Sequence, residues 1–278
     1  MIKESKKKPI RPESVLRRME RMMGGAVKGK DQKREAQDLV YDAWEAADSG
    51  EEYTLLQSAL DLDPTNVDAW LGLMKFVDID KDERVEMLRK LIAMGEENLG
   101  KKIFIQDKGH FWGMLETRPY MRARAQLALY LMDVGQYEES IVEHEGMLAL
   151  NPNDNQGVRY ALMASYLTAS RLDDARRLFK NYDECGLSAI WSWAHVLERF
   201  LAVDMTGAEN ALQVARKQNS HAEAYFLEHR KPPKFMPKSY AIGSQEEATI
   251  AWDILQHAWK KHPKAQAWLK AQQGKNQS

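Results

Sequence analysis

Three stretches of this chain repeat one another at the spacing of a helical hairpin. "GQYEESIVEHEGMLALNP" begins at Gly135, "SRLDDARRLF" at Ser170 and "TGAENALQVARKQN" at Thr206. Their small residues Ser140, Ala175 and Ala211 stand 35 and then 36 residues apart. A small side chain at a fixed place in such a period is what two closely crossing helices require, and the period itself marks stacked helix pairs. An earlier copy lies upstream, where "ALDLDP" matches "MLALNP" and sets Pro64 and Pro152 in equivalent turns. After Pro64, Trp70, Leu73 and Met74 fall at the core positions of a helix, and "KDERVEMLRKLIAMGEENLG" reads as its partner.

The order Gly135, Tyr137, Ser140, with a proline 12 residues later, is that of a tetratricopeptide repeat's second helix. The expected fold is therefore all-α: a tetratricopeptide-like helical-repeat superhelix whose register breaks between Leu99 and Thr117. A C-terminal capping helix should close it, starting with the capping box Ser244 and Glu247 and carrying the stripe Trp252, Leu255, Trp259. The proline-rich connection "LEHRKPPKFMPKSYAIGS" is expected to pack against the array. The expected division is a basic, flexible arm over 1–34, a repeat domain over 35–271 and a solvated tail over 272–278.

Charge sharpens that division. The chain is nearly neutral at −1, yet residues 1–34 hold 12 Lys/Arg against 4 Asp/Glu. Such an arm suits nucleic acid or an anionic surface, although the protein's aromatics are not interleaved with the basic residues as a base-stacking platform needs. The single cysteine, Cys185, excludes an intramolecular disulfide and a cysteine-rich zinc site. Apolar runs fall far short of the ~20 residues of a membrane helix, and the basic first 30 residues lack the apolar block of a signal peptide. The expected setting is cytoplasmic, with no transmembrane segment, no metal and no cofactor.

Residues 109–124, "GHFWGMLETRPYMRAR", fall where the repeat register breaks. Thr117 stands at an N-cap position with Arg118 and Pro119 in the first helical turn. Phe111, Trp112 and Tyr120 are expected to pack the junction. Arg118 and Arg122 share a face at i, i+4 and need negative partners, of which Glu116 is the nearest in sequence. In "NPNDNQGVRY", Asn153 or Asp154 could cap the next helix, with Asn155 and Arg159 at i, i+4 on it. Arg118, Arg122, Asn155, Gln156 and Arg159 are the expected ligand-binding residues, since an arginine fork suits a carboxylate or phosphate. The same arginines could equally sit in a buried salt-bridge network with Glu116, Asp154 and Glu143.

The motif "GHFWGMLETRPYMRAR" resembles the bacterial relatives of the suppressor of tumorigenicity 7 family. So do "LNPNDNQGVRY", "AQDLVYDAWEA", "PPKFMPKSYAIGSQEEA" and "AWDILQHAWKKHPKAQAWL". Together they cover about residues 35–270. The resemblance implies an α-helical repeat fold and names no activity. The animal members carry membrane-spanning segments, which this chain lacks.

Catalytic signatures are missing: there is no GxSxG, P-loop or HExxH, and no GxGxxG in a strand–helix context. The expected function is a non-enzymatic scaffold that binds a protein or peptide, through an acidic or carboxylate-bearing segment. Two alternatives belong to other classes. One is an enzyme or sensor for a small anion at His110, Glu116 and Arg118. The other is a nucleic-acid-associated protein using the arm.

Overall fold

A computed structural model describes residues 29–274 of this 278-residue chain. The described residues are all-helical, with no strand among them. The helices are α1 (Lys30–Trp44), α2 (Ser49–Leu62), α3 (Val67–Leu73), α4 (Lys81–Leu99), α5 (Ile103–Gln106), α6 (Arg118–Asp133), α7 (Tyr137–Leu150), α8 (Val158–Thr168), α9 (Leu172–Asn181), α10 (Ala189–Leu201), α11 (Met205–Gln218), α12 (Ala222–Phe226), α13 (Gln245–Lys261) and α14 (Pro263–Gly274). None of them is long and apolar enough to cross a membrane.

Side-chain caps explain where many of these helices start. Asp48 accepts from Gly50 and Glu51 N–H at α2, Asn66 from Ala69 N–H at α3, Asp80 from Glu83 N–H at α4, and Asp204 from Gly207 N–H at α11. Each occupies one of the orphan donors of a helix's first turn. At α13, Ser244 accepts from Glu247 N–H as the capping box requires. The return half of the box is replaced, because the Glu247 carboxylate accepts instead from Gly243 N–H, Ala189 N–H and the amides of Gln218 and Asn219. One buried carboxylate thereby ties together the starts of α10 and α13 and the end of α11.

The chain forms two compact units. The first comprises the described residues up to Val134 together with Ala149–Asn153. In it α1 pairs with α2, and α4 with α6, while α3 packs against its neighbours on both sides. Its core includes Leu56, Leu60, Trp70, Met74, Leu88, Leu91 and Leu127. Between α4 and α6 lie α5 and two short helical turns, Phe111–Gly113 and Leu115–Thr117. Phe104 and Phe111 pack edge-on to Tyr120 there and tilted to each other, with ring centroids 5.1 to 6.2 Å apart. Phe111 is fully buried; Trp112 is only half-buried, and its ring lies beneath the Arg118 guanidinium at 5.3 Å. Trp112 is therefore not the core plug its sequence neighbourhood suggests.

The second unit comprises Gly135–Leu148 and the chain from Asp154 onward. Ser140, Ala175 and Ala211, the small residues of the period, are all buried. In this unit α10 packs on α11, and α13 packs on α8, α10 and α12. The core centres on Trp191, Trp193, Leu197, Phe226, Leu255 and Trp259. Residues 228–242 do not pack as expected: nearly all are exposed. Nor is the whole of 272–278 a solvated tail, since α14 runs to Gly274 and buries Gln272. At the other end, α1 begins at Lys30, inside the stretch read as an arm; residues 1–28 of that arm lie outside the described residues.

His195 on α10 gives the second unit a pH dependence. Its half-buried ring stacks edge-on against Phe179 at 5.2 Å. Burial, followed by the Arg199 charge, holds its pKa below the ordinary 6.5. The unfolded chain thus binds this proton more readily than the folded one. The stability contributed is full above pH 6.5 and is lost as pH falls through the folded value. In urea melts from about pH 7.5 to about pH 5.5, His195→Gln is expected to lose less stability than the parent chain. Equal slopes would remove His195 as a cause.

Candidate functional site

The buried polar centre of the first unit is Asp68, in the first turn of α3 and 2% exposed. Arg122, on α6, donates to it through both Nε, at 2.8 Å, and Nη2. Gln37, on α1, donates Nε2 to the same carboxylate at 3.0 Å, and accepts from Asn66 Nδ2 at 3.2 Å. Asn66 is already the α3 cap, so helix start, carboxamide and ion pair form one network. The Arg122 guanidinium also lies over Trp44 at 5.1 Å.

Beside this network opens a cavity of about 470 Å³. Gln37, Asn66, Asn98 and Tyr120 line it together with Val67, Leu99, Leu115 and Pro119, and Lys33, Arg34, Asp38 and Glu116 add charge. The Tyr120 hydroxyl donates to Glu96 at 3.2 Å, and burial, the largest influence, pushes its pKa up to about 12. Asn98 donates Nδ2 to the Thr65 carbonyl at 2.8 Å. A carboxamide has two donor hydrogens and two acceptor lone pairs. The hydrogen bonds above leave Gln37, Asn66 and Asn98 with unused capacity. The cavity thus offers neutral donors and acceptors between apolar walls.

The LETRPY segment reaches the cavity through Leu115, Glu116, Pro119 and Tyr120. Thr117 holds the N-cap position of α6, but its hydroxyl does not cap the helix. It donates instead to the Phe111 and Met114 carbonyls, tying down the two short turns before α6. Arg118 donates Nε to the Trp112 carbonyl at 3.0 Å and has no carboxylate partner among the described residues. Glu116 is exposed, and the anion for Arg122 is Asp68 instead, 54 residues earlier. No hydrogen bond joins His110, Glu116 and Arg118 to one another among the described residues. No cluster of three or more His, Cys, Asp or Glu could hold a metal ion there either.

The remaining sequence candidates belong to the second unit. Asn155 and Gln156 precede α8, which starts only at Val158, so Asn155 and Arg159 do not share a helical face. The chain turns through Asp154 at φ 47° and Gly157 at φ 73°, the left-handed region that glycine enters freely. Asp154 then caps the helix by accepting from Val158 N–H at 2.7 Å and Arg159 N–H at 3.0 Å. Arg159 is closely bound: Nη1 to Asp154 and Nε to Glu184, both at 2.8 Å, and Nη2 to the Tyr160 hydroxyl, also at 2.8 Å. Its guanidinium lies 4.3 Å from the Tyr160 ring centroid and 5.3 Å from that of Tyr182. Burial opposes its charge, but Asp154, Tyr160 and Glu184 outweigh that and hold its pKa raised. Asn155 is exposed, and Gln156 Oε1 is buried with no hydrogen-bond partner among the described residues.

Arg122 and Arg159 are thus structural ion-pair centres, each satisfied within its own unit. Asp68, Gln37, Asn66 and Asn98 went unrecognised in sequence. Only Asn66 carried a local signal, as a cap after "DPT". Together they define an all-helical protein with a cavity of carboxamides and apolar walls. No family model and no curated protein matches the chain.

Proposed function

We propose that this protein is a non-enzymatic binding module for an extended peptide segment, seated in the cavity of the first unit. The observation that carries the reading is three carboxamides with spare hydrogen-bonding capacity on one apolar-walled lining of about 470 Å³. A peptide backbone presents alternating donors and acceptors, and an amide side chain answers both. The lining carries Asp38, Asp63 and Glu116 as well as Lys33 and Arg34, so a carboxylate-bearing segment would be met at the two neighbouring cations Lys33 and Arg34 rather than by the lining as a whole. The tetratricopeptide-like superhelix, the resemblance to the suppressor of tumorigenicity 7 family and a cytoplasmic setting belong to this same proposal.

The test is a screen of short immobilised peptides with free or amidated C-termini, read with the parent chain, Asn98→Ala and Arg34→Ala. Both positions are exposed, so the fold should survive. Removing one hydrogen bond or one exposed charge should weaken binding about five- to tenfold, equivalent to ~1–1.4 kcal/mol. Arg34→Ala should act mainly on the free-carboxylate peptides. Capture of the same peptides with unchanged affinity by both variants would remove the cavity from the reading.

A further inference from the structure

Between α12 and α13 the chain runs through a long connection, 227–244, without helix or strand. Loops of this length in a compact protein are uncommon and tend to be functional. Its side chains divide into two kinds. Phe235 is 78% exposed and Ile242 75%, with Tyr240 and Met236 also exposed. Around them stand Arg230, Lys231, Lys234 and Lys238, and no Asp or Glu occurs from 229 to 245. The Lys234 ammonium sits 5.4 Å from the Phe235 ring centroid, so the charge accompanies the apolar tip.

The base of the loop is fixed. Arg230 N–H donates to the Ala224 carbonyl at 3.0 Å, Asn219 Nδ2 to the Ser244 carbonyl at 2.9 Å, and Gly243 N–H to the Glu247 carboxylate at 2.7 Å. Pro232, Pro233 and Pro237 restrict the backbone between these anchors. The loop therefore presents large apolar side chains to water from a held base, and this needs an explanation.

We propose that residues 230–242 dock this protein on an anionic lipid bilayer. Phe235 and Ile242 enter the headgroup region, and the four cations meet anionic lipids. The inference is independent of the cavity and its ligand. Charge and residue type favour lipid over protein: lysine is depleted at protein interfaces, whereas basic residues beside exposed aromatic and aliphatic side chains are what a membrane surface retains. Each cation strengthens binding about fivefold, which is ~1 kcal/mol converted at 1.4 kcal/mol per tenfold.

The test uses the full chain, with Phe235→Cys labelled by an environment-sensitive NBD fluorophore. Burial pushes the Cys185 thiol up to about 11, so it reacts slowly at neutral pH, and the unsubstituted chain labelled in parallel supplies the background. The probes are phosphatidylcholine vesicles with and without phosphatidylserine, polyglutamate and a single-stranded oligonucleotide. The expected result is a blue-shifted, brighter emission with phosphatidylserine vesicles alone. Triple substitution Lys231→Ser/Lys234→Ser/Lys238→Ser should weaken the response about a hundredfold at equal lipid, the product of three fivefold steps, one per cation. Because the basic stretch 1–34 can bring the chain to vesicles by itself, the loop reporter decides. Co-sedimentation without an emission change overturns the proposal. So does an equal response to polyglutamate or the oligonucleotide, which would make the loop a site for an acidic protein or a nucleic acid.

Discussion

Arg122→Ala lowers the stability of the protein by about 3–5 kcal/mol, the usual cost of leaving one member of a buried ion pair behind. The side chain of Asp68 is 1% exposed, and the fork of Arg122 supplies the charge that meets it. Without the guanidinium, the carboxylate keeps a single side-chain donor, Gln37 Nε2. The packing of Arg122 over Trp44 goes as well, worth about 0.5–1 kcal/mol at a partly exposed site. The double variant Arg122→Met/Asp68→Leu should recover most of the loss, because apolar side chains need no partner. Trp112→Ala should cost less than Arg122→Ala, since Trp112 is half-buried and lies outside the core. Urea melts of the four proteins check the order. An Arg122→Ala loss below about 1 kcal/mol, the range of an exposed pair, would show the pair to be a surface contact in solution.

The second large effect lies in the aromatic centre of the second unit. Trp193 is fully buried, with its ring 5.1 Å from Phe226 and 6.2 Å from Trp259. Trp193→Ala should cost about 3–5 kcal/mol, as large aromatic truncations in a core do. Trp193→Phe should behave differently. The indole N–H of Trp193 has no hydrogen-bond partner among the described residues, and neither has that of Trp259. An unpaired buried donor costs about 1–3 kcal/mol. Phenylalanine removes that cost while giving up part of the apolar contact, so the net change should be about 1 kcal/mol or less in either direction. A loss as large as that of alanine would mean that the indole N–H does find a partner, water included. Calorimetric melting temperatures of the two variants separate these outcomes.

The two experiments probe what the linear chain carries unequally. Helix positions were legible because they are local. Apolar spacing around Trp70 and Met74 and the cap at Ser244 act within a few turns of backbone. The break before Thr117 was legible for the same reason, as a loss of period. Thr117 itself shows where local reading ends. Its type and position suit a cap, yet its hydroxyl is taken by two carbonyls of turns that no propensity foretells. Asn155 shows another such limit, since one left-handed residue at Asp154 and another at Gly157 delay the helix and remove Asn155 from the face of Arg159.

The sequence by itself determined the all-helical class, the start of α13 at Ser244 and the surplus of arginine in the central motif. Tertiary structure alone decided what those arginines are for. Arg122 of that motif meets Asp68, 54 residues away, and Arg159 beyond it meets Glu184, 25 residues away, in addition to the nearby Asp154 that the sequence offered. A charge finds such a partner through packing rather than through spacing, because the attraction acts over a few ångströms of space and carries no trace of sequence separation.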